Sequence, residues 1–431
     1  MSHPSKPDST PRNSPGTVLL ASLIGTTVEF FDFYIYATAA VLVFPKAFFP
    51  SSDPTAAILQ SLVTFALAFF ARPVGSAVFG HFGDRIGRKA TLVGALLTMG
   101  ISTVAIGLLP TYETLGTSAA VLLAICRFGQ GFGLGGEWGG AVLLATENAP
   151  PGKRAWYGMF PQLGAPIGFL LSGGIFLWLG DHMSEADFFH YGWRIPFLAS
   201  AVLVFVGLFV RLKVTETPVF EQALKHNKRV KVPVMEVCRR HTSALILGTL
   251  GATATFVLFY LMTVFALSWG TTALHYSKHD FLRIQLLAVL FFGLCIPVSA
   301  WLADRFDRRR TMVAVSAAIV AFGFLMETLF VPNSILGTTV FLSLGLGLMG
   351  MTYGPLGTLL SEMFPTAVRY TGSSMTFNLA GILGASLAPY LATTLATRYG
   401  LASVGYYLSS VAGITLVALW LSKPAESAFE A

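Results

Sequence analysis

The stretch EFFDFYIY places two carboxylates, Glu29 and Asp32, three residues apart, with Tyr36 a turn further along. On a helix these three share a face. Two carboxylates so close in a low dielectric resist joint ionisation, so one keeps a proton where an exposed carboxyl has lost it. A second apolar stretch, ICRFGQGFG, carries Arg127, whose planar fork of donors suits a carboxylate. Proton uptake and the holding of an organic anion are the chemistry these residue types can do. Asp32, assisted by Glu29, is expected to load a proton and to compete with an anionic substrate for Arg127. A static Arg127–Asp32 bridge that only positions helices is the structural alternative. Arg72 in FFARPVG and Glu137 in GGEWGG are further charges in apolar surroundings, and matching depth predicts that they pair. Tyr36, Trp138, Gln162, Tyr260, Tyr353 and Asn378 are the remaining candidates for substrate contact.

Around these charges RFGQGFGLGGEWGGA holds seven glycines in fifteen residues, and Gly131, Gly133 and Gly136 fit G-x-G-x-x-G. A dinucleotide loop needs a strand before it and a helix N-terminus after it. The flanking LGTSAAVLLAICRF and AVLLATENAP instead read as apolar helix. Glycines at spacing four, such as Gly129 with Gly133 and Gly131 with Gly135, let neighbouring membrane helices approach closely.

The elements that position these residues are membrane spans. Of 431 residues 54% are hydrophobic and 11% charged, and mean hydropathy is +0.68, whereas soluble domains carry about one quarter charged residues. Spans of about twenty residues are expected to start near positions 17, 56, 90, 117, 155, 193, 242, 283, 311, 335, 371 and 401. At 1.5 Å per residue Glu29 and Asp32 lie roughly 18 to 22 Å into span 1, and Arg127 roughly 15 Å into span 4 running the other way. All three are thus expected near the middle of the bilayer.

The net charge of +7 does not point to nucleic acid, because the basic residues fall in alternate loops. DRIGRK, PGKR, DRFDRRR and the long basic stretch before span 7 are expected to face the cytoplasm, with both termini. Residues 1–16, polar and Pro-rich, read as a disordered tail, and Glu29 and Asp32 within the first span argue against a cleaved signal. Cys126, Cys238 and Cys295 lie far apart, so neither a disulfide framework nor a metal cluster is expected. No phosphate loop, H-E-x-x-H or G-x-S-x-G is present, which argues against an enzyme and leaves ion gradients as the energy source. No cofactor is expected; protons are the coupling ion.

The chain is also duplicated. GHFGDRIGRK at 80–89 recurs as AWLADRFDRR at 300–309, and ENAPPGKR at 147–154 as EMFPTAVR at 362–369, at offsets of 220 and 215 residues. Two six-helix halves, 17–211 and 241–422, joined by a basic linker at 212–240 and followed by a tail at 423–431, fit these spacings. Such repeats place the substrate site at their interface near the midplane.

Gly80, Asp84, Arg85, Gly87, Arg88 and Lys89 match the loop signature of the major facilitator superfamily, which the chain resembles. EFFDFYIY, RFGQGFGLGGEWGG, YGWRIPF and SEMFPTAVRYTG are similar to its metabolite:H⁺ symporter family, whose members carry organic acids or zwitterions such as proline and betaine together with protons. The resemblance implies an all-α, twelve-helix monomer of the bacterial inner membrane that takes up a small organic acid by alternating access. A passive uniporter or a zwitterion carrier of the same fold is the rival reading. The motif R-x-x-x-G-x-G at Arg127, Gly131 and Gly133 matches one linked to proton coupling. By the same resemblance Asp84 meets the start of span 11, and Arg85, Arg88 and Lys89 bridge acids near Glu147 and Arg154. Asp304, Arg305, Glu362 and Arg369 take the equivalent roles in the second half, and all of these close a cytoplasmic gate in which Gly80 allows close approach. Ala300 and Asp307 replace glycines of the pattern, which is expected to loosen the gate on that side. The missing C-terminal coiled-coil extension is expected to lower the osmosensing proline/betaine class.

Overall fold

The computed structural model describes residues 15–86, 88–213, 233–365 and 368–423, and for residues 15, 80–86, 88–91, 211 and 213 the backbone alone. The N-terminal tail, most of the basic linker and the C-terminal tail lie outside the described residues, as do the side chains of Gly80, Asp84, Arg85, Arg88 and Lys89.

Twelve helical crossings follow one another among the described residues, and no strand. The first half holds α1 (Pro15–Leu42), α2 (Pro54–Ile86), α3 (Arg88–Leu108), α4 (Thr117–Glu147), α5 (Arg154–His182) and α6 (Ile195–Lys213). The second holds α7 (Thr242–Thr272), α8 (Lys278–Phe306), α9 (Arg308–Gly323), α10 (Ile335–Glu362), α11 (Arg369–Tyr399) and α12 (Leu401–Leu421). Ten of the helices are long and apolar enough to cross a membrane on their own. The protein is a multi-pass membrane protein. Inside lipid only a helix or a closed barrel satisfies every backbone group, and the apolar composition selects the helix.

Helix onsets fall close to the expected positions. The exception is α8, which starts at Lys278 because Ser277 caps it: the hydroxyl accepts from the Asp280 amide at 3.0 Å and donates to the Asp280 carboxylate at 2.6 Å.

Glycines set the spacing of the first half. Cβ atoms built at Gly131 and Gly135 of α4 would run into the backbone of Ala68 and the carbonyl of Arg72 on α2, and one at Gly75 into the Phe132 carbonyl. The stripe therefore brings α2 and α4 backbone to backbone, as its spacing predicts.

Three crossings are interrupted near their middles. In α4 the turn Gly135–Glu137 separates Thr117–Leu134 from Trp138–Glu147. In α7 and α11 single π-turns occupy Leu261–Phe265 and Ile382–Ser386. Interrupted backbone at membrane depth is tolerated only where protein or a cavity covers it. Here Gln285 of α8 donates to the Met262 and Thr263 carbonyls at 3.2 and 2.8 Å, covering the break in α7.

Candidate substrate and proton site

Five ionisable side chains in the interrupted region are removed from solvent: Glu29, Asp32, Arg72, Arg127 and Glu137 are each no more than 6% exposed. Each costs several kcal/mol to bury in hydrocarbon and therefore marks a function or a partner.

Arg127 is built into α4 among rings. Its guanidinium lies 3.9 Å from the Tyr36 ring centre and 4.5 Å from that of Phe33. Nε and Nη2 donate to the Phe65 carbonyl of α2 at 3.4 Å each, and Nη1 donates to Gln130, one turn on. Three of its five N–H groups are thus used, which leaves two for a ligand. Gln130 is the hub: its amide donates to the Asp32 carbonyl at 3.0 Å and to the Thr103 hydroxyl at 2.9 Å, joining α1, α3 and α4.

The Asp32 carboxylate does not meet Arg127. One oxygen accepts from Ser200 of α6, and the other has no hydrogen-bond partner among the described residues. The direct Arg127–Asp32 bridge is therefore replaced by a backbone link through Gln130. Glu29, one turn earlier, lies within electrostatic reach of Tyr260 and Tyr353 of the opposite half. Arg72 stands 4.7 Å from the ring centres of both Phe33 and Phe69. Its backbone carbonyl abuts Gly135, two residues before Glu137, so the α2–α4 contact brings these two charged positions to neighbouring turns.

The other candidates knit the halves together. Tyr36 donates to Thr64 at 3.0 Å. Trp138 stacks on Phe377 of α11, with ring centres 3.6 Å apart, and donates to Gln162 at 3.1 Å. Gln162 in turn donates to the Tyr353 carbonyl at 2.9 Å, and Asn378 donates to Ser76 at 2.8 Å. Tyr260 packs edge-on against Phe33 and Phe69.

Both ends of this region are bridged, and α5 and α8 carry both bridges. At the end holding Pro15 and Ser422, the Asp304 carboxylate of α8 accepts from the Ala155 and Trp156 amides at 2.9 and 2.8 Å, capping α5 of the opposite half. A carboxylate is favoured at a helix N-terminus by the free amides and the helix dipole. Arg308 holds Asp304 at 3.1 Å and Glu362 at 3.0 Å. Arg154, Glu147 and Arg369 lie within electrostatic reach of the same cluster. Arg305, expected there, instead stands exposed, 5.2 Å from the Trp301 ring centre. At the far end Asp181 of α5 pairs with His279 of α8, and Glu185 lies 3.9 Å from both Lys46 and Lys278. The Asp304 bridge forms with Ala300 and Asp307 in place of the glycines: Ala300 is fully buried, and Asp307 adopts φ 128° while its carboxylate caps α9 through the Arg310 amide.

A twelve-helix bundle of two halves, bridged at both ends around buried charge, is the architecture of an alternating-access carrier. Residues 22–382 match the Major Facilitator Superfamily. The chain belongs to that superfamily. Within it, the chain is 57% identical over 423 residues to the inner membrane metabolite transport protein YhjE of Escherichia coli, covering 96% of this chain and 95% of the relative. It is 36% identical to the Escherichia coli shikimate transporter over 95% of this chain and 94% of that one. The proline/betaine transporter of the same organism is 32% identical, over 93% of this chain and 81% of its own length. A D-xylose-proton symporter structure aligns over 95% of this chain and 98% of its own, with a TM-score of 0.73 and 17% identity, a likeness of fold alone. The protein is accordingly a transporter of metabolites and not an enzyme.

If the Asp304 bridge acts as a gate, as the sequence resemblance leads one to expect, its strength can be measured. Asp304→Ala removes two charge-assisted bonds and one of the two acids that Arg308 holds, a loss of about 2 kcal/mol, or roughly 30-fold in population, for the state closed at that end. A single cysteine placed at Ser361, buried beside this interface, is expected to react with a soluble thiol reagent correspondingly faster when combined with Asp304→Ala. An unchanged labelling rate counts against the gate.

Sequence reasoning overlooked Gln130, Ser200, Thr103 and Arg308. Gln130 carried a signal, a polar residue one turn from Arg127 in an apolar run. Ser200 and Thr103 carried none, because a lone hydroxyl in a span can bond its own helix.

Proposed function

We propose that this protein is a proton-coupled uptake carrier for a small organic acid, working as a monomer in the bacterial inner membrane with both chain ends in the cytoplasm. The observation that carries the reading is the contrast between Asp32 and Arg127. One is a fully buried carboxylate with a bare oxygen, the other a fully buried guanidinium with N–H groups to spare, and Gln130 joins them. Three carboxylates, Glu29, Asp32 and Glu137, and two guanidiniums, Arg72 and Arg127, are buried in the bundle. A proton on one carboxylate balances the cluster. A monovalent anion that arrives with one further proton adds no net charge to the enclosed site, whereas an anion alone leaves an uncompensated charge in low dielectric. Arg127, between aromatic rings, suits a carboxylate on a ring or short carbon skeleton. The shikimate transporter among the relatives supports an organic acid, and the proline/betaine transporter supports the zwitterion alternative.

The test is purified protein in liposomes loaded with a pH-sensitive dye, given a panel of mono-, di- and tricarboxylates beside proline and betaine. An organic acid is expected to evoke internal acidification on addition. Acidification by the zwitterions alone assigns the rival substrate class, and substrate uptake without proton movement assigns a uniporter.

A further inference from the structure

The second half carries a cleft that the transport site does not use. It has a volume of about 780 Å³ and lies where α8, α9, α10 and α12 meet, at the end of the bundle holding Ser422. Arg308, Arg309, Arg310 and Lys423 line it against two acids, Asp307 and Glu362. Two of the four cations are already committed. Arg308 holds Asp304 and Glu362, and Arg309 donates to the Leu419 carbonyl at 2.7 Å and to that of Trp420, closing the C-terminal turn of α12. The Asp307 carboxylate is occupied by the Arg310 amide. Neither the Arg310 guanidinium nor the Lys423 ammonium makes an ion pair or hydrogen bond with the described residues.

The cleft is two-faced. Its inner wall is apolar, with Leu359 and Met363 buried beside Val313. Its rim carries Phe306 and Trp420, exposed by 59% and 68% at the last turns of α8 and α12. Aromatic side chains at span ends belong to the headgroup level of a bilayer, and basic clefts between spans there match anionic headgroups. A soluble anion has no use for the apolar wall.

We propose that this cleft binds an anionic phospholipid, with its phosphodiester between Arg310 and Lys423 and the first acyl carbons against Leu359 and Met363. Trp420 reports the ligand directly. In detergent-solubilised full-length protein, phosphatidylglycerol with brominated chains is expected to quench the fluorescence that Trp420→Phe removes. Equally brominated phosphatidylcholine is expected to quench it weakly. Each basic residue near an anionic surface contributes about fivefold, so Arg310→Gln with Lys423→Gln raises the half-quenching lipid concentration roughly 25-fold. Arg310→Lys with Lys423→Arg keeps the wild-type value. Each single Gln variant gives about fivefold, which preserves the test if the double variant loses helicity. Equal quenching by the two lipids, or an unchanged half-quenching concentration in the Gln variants, overturns the proposal. So does full displacement of phosphatidylglycerol by millimolar inorganic phosphate, which would assign a soluble anion instead.

Discussion

Arg127→Lys protein is expected to require at least about tenfold more substrate for half-maximal uptake, and to lose entrance and exchange alike. The charge is kept, so the expected loss measures the fork. Arg127 reaches the Phe65 carbonyl with two nitrogens and Gln130 with a third, while its plane lies against Tyr36. An ammonium on a flexible stem has three donors and no plane, and cannot hold Phe65, Gln130 and a bidentate carboxylate at once. Hydrogen bonds to charged groups contribute about 1.5–3 kcal/mol each, so the loss of one such bond to substrate is roughly tenfold to hundredfold in affinity. The measurement is counterflow in liposomes without a pH gradient, where only binding and the swing of the halves matter. Wild-type half-saturation in the Lys variant would make Arg127 a structural residue. The thermal midpoint of the empty variant separates the two roles, since a purely structural Arg127 lowers it without a substrate-dependent difference.

The α5–α8 pair joins the two halves at both of its ends. The two helices run antiparallel and are bridged at both ends, by Asp304 to the start of α5 and by Asp181 to His279 at the other end. On the proposed alternating-access reading, opening toward one side is expected to break one bridge while the other serves as the pivot. Between the bridges small residues keep the contact slim: Gly173 faces Leu286 and Gly293 faces Pro166. Such a slim, packed seam is what the proposed rocking of two halves requires.

Most of the fold was legible because hydropathy and loop charge are properties of whole segments. Eleven of the twelve onsets and the glycine contacts follow from residue type and spacing, with no knowledge of which side chain faces which. Orientation was less legible. Asp32 and Arg127 are linked through Gln130, yet the carboxylate turns toward Ser200 of α6. A helix places side chains about every 100°, and a sequence does not say which neighbour occupies each sector. The gate shows the same limit at shorter range. In DRFDRRR four arginines fall within six residues, and what sorts them is the break at Asp307: with φ 128° the chain ends α8, restarts as α9, and turns Arg308 toward Asp304 while Arg305 stays outside. A non-glycine residue in that conformation is strained, and the side-chain cap on the Arg310 amide offsets part of the cost. The cap was not visible in the replacement of glycine by aspartate alone.

Asp32→Asn protein is expected to keep substrate exchange and to lose accumulation driven by a pH gradient. The substitution is nearly isosteric with a protonated carboxyl, and the new amide's carbonyl oxygen can still accept from Ser200, so the packing around α1, α3 and α6 has no reason to change. What disappears is the ability to alternate between charged and neutral. In the wild type one Asp32 oxygen accepts from Ser200 and the other has no hydrogen-bond partner among the described residues, at a fully buried position. On the proposed coupling, swinging the halves with an anion bound and Asp32 still charged leaves an uncompensated charge that costs several kcal/mol, and a proton on the free oxygen removes the cost. The anion-loaded carrier with a charged Asp32 is thereby held back and the one with a neutral Asp32 is released, while the empty carrier, balanced by a proton on Glu29 or Glu137, returns without it. The amide variant is permanently in the released form, so leak replaces coupling. For one proton per substrate molecule each pH unit supports about a tenfold concentration ratio. At a gradient of one unit the wild type is expected to approach that ratio, while the amide variant settles at equal concentrations inside and out. Accumulation by the variant at the wild-type ratio would move the proton to Glu29 or Glu137, the carboxylates that share the buried cluster. Loss of counterflow as well would show that Asp32 serves the fold before it serves the proton.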